Sequence, residues 1–246
     1  MEEITVILNG YKRPEYLQEQ VKAIRAQTVA PKEIWLWRND CSWPNEASVD
    51  VIIDSSRNFK YHGRFALGLL AQTKYVAFFD DDTIPGENWF KNCLSVMEEK
   101  GECILGGAGC ILQSPLYVQH IRAGWPQPTD KTVEVDLVGH AWFMQRQTLN
   151  NLWAEVPPTQ ENGEDMQLSF QANIHNNIKS FCPPHDPEDQ TVWSSLRAWE
   201  YGNDSKASSN GSLKSIPQFY KERDDIISYY IEKGYKPVLT RGEDVN

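Results

Sequence analysis

The sequence lacks the features that mark several large classes of protein. Its 246 residues include five cysteines, an odd number, and no two of them form a C-x-x-C pair. This pattern indicates neither a disulfide framework nor a zinc site, so we interpret the cysteines as buried free thiols. No apolar run reaches the length of a membrane span, and a strand-like segment stands where a signal peptide would begin. We therefore expect a soluble, cytoplasmic protein.

An excess of positive charge is also missing. The formal net charge is -10, and the lysines and arginines do not gather into a stripe that could follow a phosphate backbone. This distribution argues against a nucleic-acid partner. There is no low-complexity tract, and the content of 40% hydrophobic and 24% charged residues is that of a globular protein. A chain of this length can bury a full core, and we predict one domain built of two halves.

Short apolar segments alternate with helical patterns over residues 1–100, which we take as the first half. Strands are predicted at residues 4–8, 33–37, 49–53 and 75–79, and helices at residues 65–71 and 88–99. Pro14 suits the first position of a further helix. This alternation predicts an α/β fold with a mainly parallel central sheet flanked by helices. Polar clusters follow the first, second and fourth strands, at the edge where α/β sheets bind their ligands.

The pattern changes in the second half, residues 101–200. Strands are predicted at residues 108–112 and, from strict alternation, at 132–138, and an aromatic stretch follows at 140–143. In the remaining part, residues 201–246, a polar run at 203–212 predicts a flexible loop. An amphipathic pattern at 215–233 predicts a packed C-terminal helix.

Three consecutive aspartates form the strongest local signal. Asp80, Asp81 and Asp82 directly follow the apolar strand at residues 75–79. Like charges this close repel one another unless a cation neutralises them, and carboxylate oxygens suit Mg²⁺ or Mn²⁺. A bound metal would offset charge that develops on a departing diphosphate. The alternative interpretation is an acidic surface turn after a core strand.

Two further acidic residues and two histidines are candidates for chemistry. Glu164 and Asp165 stand at the start of a predicted helix, where a carboxylate can act as a base or simply stabilise the helix end. His185 follows two prolines on a predicted rigid turn, and His140 stands beside Trp142. A lone histidine is usually a surface or packing residue, so only the nearby aspartates favour a metal-binding role.

Taken together, residues 4–200 resemble the GT-A glycosyltransferases, in particular family-2-like enzymes, with exostosin-like stretches. The opening I-L-N-G-Y-K-R-P-E-Y-L is similar to the family's first strand and turn, which contact the nucleotide base and ribose. The end of the second strand, W-L-W-R-N-D, resembles the run that edges the base pocket, and G-R-F resembles a segment that approaches the donor. The resemblance implies these donor-binding residues: Asn9, Tyr11, Arg13, Asn39, Asp40, Arg57, Arg64, Asp80 and Asp81.

The resemblance also implies metal, catalytic and acceptor residues. F-D-D-D matches the D-x-D signature, which implies that Asp82 and Asp80 bind the metal and that His185 completes its coordination. G-E-D-M is similar to the family's E-D segment, which implies that Asp165 is the catalytic carboxylate. By the same resemblance, Glu164, His140 and Trp142 contact the acceptor.

We therefore expect a GT-A fold with a smaller acceptor-side β region. The expected function is Mn²⁺- or Mg²⁺-dependent transfer of a hexosyl or deoxyhexosyl group from a nucleotide diphosphate sugar, with UDP as the default nucleotide, to a glycan or other hydroxyl acceptor. No Q-x-x-R-W signature of processive synthases is present, which favours one sugar per event. The alternatives are a non-catalytic sugar-nucleotide or glycan binder, a D-x-D phosphatase and a nucleotidyltransferase. The sequence leaves inversion or retention open.

Overall fold

A computed structural model of the protein describes residues 3–11, 13–41, 48–196 and 216–241. The polar run at residues 203–212, for which we predicted a flexible loop, lies outside this part of the chain. The described residues form two sheets with helices packed against them. Strands and helices are numbered along the chain.

An eight-stranded sheet forms the centre of the molecule. Its strands are β1 (Ile4–Gly10), β2 (Glu33–Asn39), β3 (Val51–Ser55), β4 (Tyr75–Phe79), β5 (Cys103–Leu105), β8 (Val133–Val135), β10 (Trp142–Gln145) and β11 (Lys179–Cys182). Their spatial order is β3-β2-β1-β4-β10-β5-β11-β8. The four strands predicted in the first half are all present, and the third begins two residues later than predicted. The large central sheet and the helices that flank it confirm the prediction of an α/β fold.

The sheet is parallel in its first half and mixed in its second. Strands β3, β2, β1 and β4 run parallel, whereas β10 lies antiparallel between β4 and β5. Strand β11 is parallel to β5 and antiparallel to β8. The prediction of a mainly parallel sheet is therefore wrong beyond β4. The β4–β10 pairing sets Trp142 opposite Phe78, so an aromatic side chain lies close to the aspartates that follow β4.

A smaller antiparallel sheet contains β7 (His120–Gly124), β6 (Ala108–Leu112) and β9 (Leu137–Gly139), in that order. The single strand predicted at residues 132–138 is in fact two strands, β8 and β9, in different sheets. The chain changes sheet at Asp136, which is almost fully buried. Its carboxylate accepts hydrogen bonds from the Leu112 N–H at 2.6 Å, the Tyr235 hydroxyl at 2.6 Å and the Val238 N–H at 2.8 Å. These bonds satisfy a buried polar group that would otherwise be costly.

In the described part of the chain, five α-helices cover the sheets: α1 (Leu17–Arg25), α2 (His62–Gly68), α3 (Trp89–Lys100), α4 (Glu164–Asn176) and α5 (Ile216–Glu232). A 3₁₀ turn at Pro14–Tyr16 leads into α1, with Pro14 at its first position as predicted. Helix α2 begins and ends three residues before the predicted segment. None of the described helices combines the length and apolar character that crossing a membrane requires.

Two apolar clusters hold the fold together. The larger lies around the eight-stranded sheet, and its fully buried rings include Phe65, Phe78, Phe79, Phe90 and Phe143. The smaller joins the three-stranded sheet to α4 and α5 through Cys110, Leu112, Leu137, Met166, Phe170, Ile226, Ile227, Tyr230 and Tyr235. Helix α5 therefore covers the small sheet with its apolar face. Its position brings the beginning of this helix to the edge of the candidate site.

Candidate functional site

A cleft with a volume of about 280 Å³ lies where β1 and β4 end, beside the small sheet and the first turn of α4. Most of the predicted site residues line it together: Asn9, Tyr11, Arg13, Arg64, Asp80, Asp81, Asp82, His140, Trp142, Glu164 and Asp165. These residues come from the first, fourth and tenth strands, the second and fourth helices and the loops beside them. The resemblance thus identified residues that are distant in sequence and neighbouring in space.

Two arginines pair with the three aspartates. Arg13 Nη1 lies 2.9 Å from Asp81 Oδ1 and 2.6 Å from Asp82 Oδ2, and the Arg13 side chain is only 6% exposed. Arg64 pairs with Asp80 on one side and, at 3.2 Å, with Glu164 Oε1 on the other. Gln20 Nε2 donates to the main-chain oxygens of Asp80 and Thr83, both at 2.7 Å, and so fixes the loop. The repulsion expected in this cluster is therefore partly compensated by the protein itself, and a net negative charge remains.

Arg64 reaches both acidic groups because Gly63 lets α2 approach the sheet. A Cβ atom on Gly63 would lie 2.2 Å from the Trp37 ring, so a larger residue would push the helix away. The Arg64 guanidinium also lies 4.7 Å from the centre of the Trp142 ring. Arg64 is thereby held between β4, β10 and α4, and it connects the aspartate loop with the carboxylates of α4.

Asp80, Asp82 and His140 could hold a metal ion, since one ligand atom from each lies within 4.8 Å of the others. His140 directly follows β9 with a φ of 61°, and its ring lies against that of Trp125. This left-handed conformation turns His140 Nδ1 to within 3.6 Å of Asp80 Oδ2. Two carboxylates and an imidazole suit Mn²⁺ better than Mg²⁺, which prefers oxygen ligands.

His185 lies outside this group and does not line the cleft. The side chain is fully buried, and its Nε2 and Nδ1 atoms lie 2.8 Å from Ser194 Oγ and 3.0 Å from the Pro183 carbonyl oxygen. Burial lowers the pKa of His185 to about 4, so the ring is neutral at neutral pH. The structure therefore does not bring His185 to the aspartates. His140 occupies the position beside them that the resemblance had implied for His185.

We expect substitutions of the two histidines to have different effects on Mn²⁺ affinity. His140→Asn should weaken Mn²⁺ binding by at least about tenfold, the lower range found even for residues that only support metal ligands. His185→Asn should leave Mn²⁺ affinity within about twofold but lower the unfolding free energy by about 1 to 3 kcal/mol, because a packed ring is lost. Titration followed by electron paramagnetic resonance measures the affinity. A loss of Mn²⁺ affinity only in the His185 variant would contradict this assignment.

Glu164 and Asp165 begin α4 as predicted, directly after Gly163. Gly163 has a φ of 76°, and a Cβ atom there would lie 2.3 Å from Ile226 Cδ1, so glycine lets α5 pack against this corner. Asp165 Oδ2 accepts a hydrogen bond from Arg223 Nη2 of α5 at 2.7 Å. Both carboxylates are therefore paired with arginines, and the two arginines belong to different helices, α2 and α5.

Burial raises the pKa of Glu164 to about 7, and the neighbouring charge of Asp165 adds to the rise, while Arg64 and Arg223 oppose it. The fold thus favours the protonated form. The stability that this protonation contributes is fully present below the ordinary pKa of 4.5 and is lost as the pH rises through about 7. We expect the unfolding free energy of the wild type to fall relative to Glu164→Gln as the pH rises from 5 to 8.

Denaturant unfolding at both pH values measures this difference. Glu161→Gln is the matched control, because Glu161 has a side chain that is 56% exposed and pairs with Lys60 at the surface. The Glu161 variant should show no such trend. A difference between wild type and Glu164→Gln that does not change with pH would contradict the prediction.

Three residues predicted to bind the donor do not line the cleft. Asn39 is buried and holds a loop instead, accepting from the Phe59 N–H at 2.9 Å and donating to Asn58 Oδ1 at 3.0 Å. Asp40 is exposed, and Arg57 is exposed with its guanidinium over the Phe59 ring. The ends of β2 and β3 therefore lie beyond the described cleft.

Several lining residues were not found from the sequence: Tyr61, Cys110, Tyr117, Arg122, Asn162, Phe219 and Arg223. One signal could have indicated Arg223. It recurs with Phe219, Ile226 and Tyr230 at helical spacing, so a charged residue stands in the apolar stripe of α5. A buried arginine in such a stripe needs a carboxylate partner, which is Asp165 here.

Comparisons with known proteins give a structural similarity. No protein-family model matches the chain, and no curated protein matches its sequence. Among solved structures, the chain is similar to the crystal structure of residues 1–349 of Staphylococcus aureus TarS, a staphylococcal wall teichoic acid glycosyltransferase. The two share 16% sequence identity and a TM-score of 0.52, over 99% of this chain and 75% of the TarS chain. The chain therefore has a glycosyltransferase-like fold.

Proposed function

We propose that this protein is a metal-dependent glycosyltransferase that moves a sugar from a nucleotide diphosphate donor, UDP by default, to an acceptor hydroxyl. The proposal rests on one observation: Asp80, Asp82, His140 and Asp165 line the same cleft of a glycosyltransferase-like fold. Sugar transfer requires a group that stabilises the departing diphosphate and a base that accepts a proton from the incoming hydroxyl. The metal group would serve the first purpose and the separate carboxylate the second.

The donor side of the cleft consists of the residues that follow β1 and β4. Asn9, Tyr11 and Arg13 would contact the nucleotide, and their position at the carboxyl end of a parallel strand is where α/β folds bind such ligands. Asp80, Asp82 and His140 would hold Mn²⁺ or Mg²⁺, which when bound neutralises the diphosphate and stabilises it as a leaving group. Arg13 and Arg64 pair with these aspartates and can turn to phosphate oxygens when a cation takes their place.

The acceptor side consists of α4, the small sheet and the start of α5. In our proposal Asp165 accepts the proton of the acceptor hydroxyl, while Arg223 and the first turn of α4 hold its carboxylate in place. Glu164 orients the acceptor, and Trp142 forms the floor between the two sides. The ring of Phe219 also lines this end and offers an apolar face of the kind against which sugar rings pack.

A screen of nucleotide sugars tests the proposal. We expect release of a nucleoside diphosphate from one class of nucleotide sugar when Mn²⁺ or Mg²⁺ is present, and no release after chelation by EDTA. Binding of a nucleotide sugar without release under any condition would favour the non-catalytic binder. Release of phosphate from simple phosphomonoesters would favour the D-x-D phosphatase.

A further inference from the structure

Four arginines line the cleft, and three of them are paired with carboxylates. Arg13 pairs with Asp81 and Asp82, Arg64 with Asp80 and Glu164, and Arg223 with Asp165. The side chain of the fourth, Arg122, forms no ion pair or hydrogen bond with any residue that the structure describes. Its positive charge is therefore available to a ligand at the acceptor end of the cleft.

Arg122 and Arg223 approach the same point from two elements. Arg122 on β7 stands directly opposite Cys110 on β6, so the two side chains are cross-strand neighbours on one face of the small sheet. Cys110 Sγ lies 4.0 Å from the Tyr117 hydroxyl, and the Arg223 guanidinium lies 4.2 Å from the centre of the Tyr117 ring. Burial raises the pKa of the Cys110 thiol, and the charges of both arginines oppose that rise, which agrees with their closeness.

Arg223 also has an unused donor. Its side chain is only 6% exposed, and Nη2 and Nη1 bond to Asp165 and, at 3.3 Å, to Asn162 Oδ1. The Nε atom is buried and has no hydrogen-bond partner among the residues that the structure describes. An unsatisfied buried donor is costly, so a ligand that accepts from it gains affinity. Arginine donors match the oxygens of phosphate and carboxylate groups.

We propose that Arg122 and Arg223 form a binding site for an oxyanion carried by the acceptor, a phosphate or a carboxylate. The site lies on the acceptor side, since Arg223 contacts Asp165 and Arg122 belongs to the small sheet. The assignment of the anion to an acceptor rests on the proposed function, but the anion site itself does not. It deepens that function by naming an anionic acceptor class, because a neutral acceptor would leave Arg122 without a counter-charge and the Nε donor of Arg223 unused.

Binding of inorganic phosphate to the metal-free protein tests the site, followed by NMR chemical shifts or calorimetry. We expect Arg122→Gln to weaken phosphate binding by at least about tenfold, the scale of a lost charge-assisted hydrogen bond. Arg25→Gln is the matched control, since it removes one positive charge outside the cleft, where Arg25 pairs with Asp50, and should change nothing. Equal phosphate affinity in the wild type and Arg122→Gln would overturn the proposal.

A second titration identifies the source of the anion. With UDP and Mg²⁺ bound, phosphate should still bind to the wild type, and glucose 6-phosphate should bind at least about tenfold more tightly than glucose. Arg122→Gln should lose that preference while UDP affinity stays within about twofold. If UDP abolishes phosphate binding, the site belongs to the donor diphosphate and the acceptor assignment is wrong. None of these measurements needs sugar transfer, so they stand or fall separately from the proposed function.

Discussion

Asp165→Asn is expected to slow sugar transfer by roughly a hundredfold or more while donor affinity stays within about threefold of the wild type. A carboxylate that takes the acceptor proton acts in the transition state and contributes little to binding of the donor. Asparagine keeps the shape and still accepts a hydrogen bond from Arg223, which lies 2.7 Å away. Single-turnover rates and calorimetric titration of the donor separate the two effects.

Glu164→Gln is the matched control, because it replaces the neighbouring carboxyl group of the same helical turn by an amide and should slow transfer less. Near wild-type transfer by Asp165→Asn would show that Asp165 only begins the helix. Glu164 would then be the first candidate for the base, since it lines the cleft, whereas Glu161 and Asp186 are exposed and do not. A collapse of donor binding in Asp165→Asn would instead assign Asp165 to the nucleotide or metal side.

Asp82→Ala is expected to abolish metal-dependent binding of a nucleoside diphosphate and to leave the fold intact. Asp82 is one of the two carboxylates in the candidate metal group, and its loss would leave Asp80 and His140 as the remaining members of that group. Calorimetric titration with UDP in the presence and absence of Mn²⁺ measures the effect. The same UDP affinity with Mn²⁺ in the wild type and the variant would contradict the metal assignment.

Asp81→Ala is the matched control, because Asp81 stands in the same loop and pairs with the same arginine but lies outside the metal group. We expect Asp81→Ala to keep the metal dependence. Neither change should stabilise the protein through relief of repulsion, because each carboxylate is paired with Arg13. The repulsion expected from the sequence would predict such a gain for Asp82→Ala, but the sequence shows the aspartates without the arginine that folds onto them.

The first half of the fold could be predicted from local signals, and the rest only in part, where β6 and α5 match the predicted strand and helix. Strands β1, β2 and β4 are apolar runs followed by polar clusters, and that pattern shows itself within a few residues. Strands β5 and β7 have three and five residues and no clear alternation, so periodicity gave no sign of them. The run at residues 132–138 alternates without a break, and only tertiary contacts at Asp136 divide it between two sheets.

The candidate site divides in the same way. Residues at or just after the end of a strand, such as Asn9 and Asp80, belong to sequence motifs that can be recognised. Residues that close the cleft from the small sheet and α5, such as Arg122 and Arg223, belong to no recognisable motif. The choice between His140 and His185 depends on which loop turns toward Asp80, and a φ of 61° at His140 decides it. A backbone conformation of that kind has no signature in the sequence of a single chain.

The bonds of Asp136 also bear on the order in which the protein is completed during synthesis. Strands β1 to β4 lie within the first eighty or so residues and can pair once these are available, whereas Asp136 reaches Tyr235 and Val238 across 99 and 102 positions of the chain. We expect such distant contacts to form late, because the intervening chain must first be ordered. In a nascent chain that has not yet extended to Val238, strands β1 to β4 would therefore be complete before the bonds of Asp136 to the segment after α5.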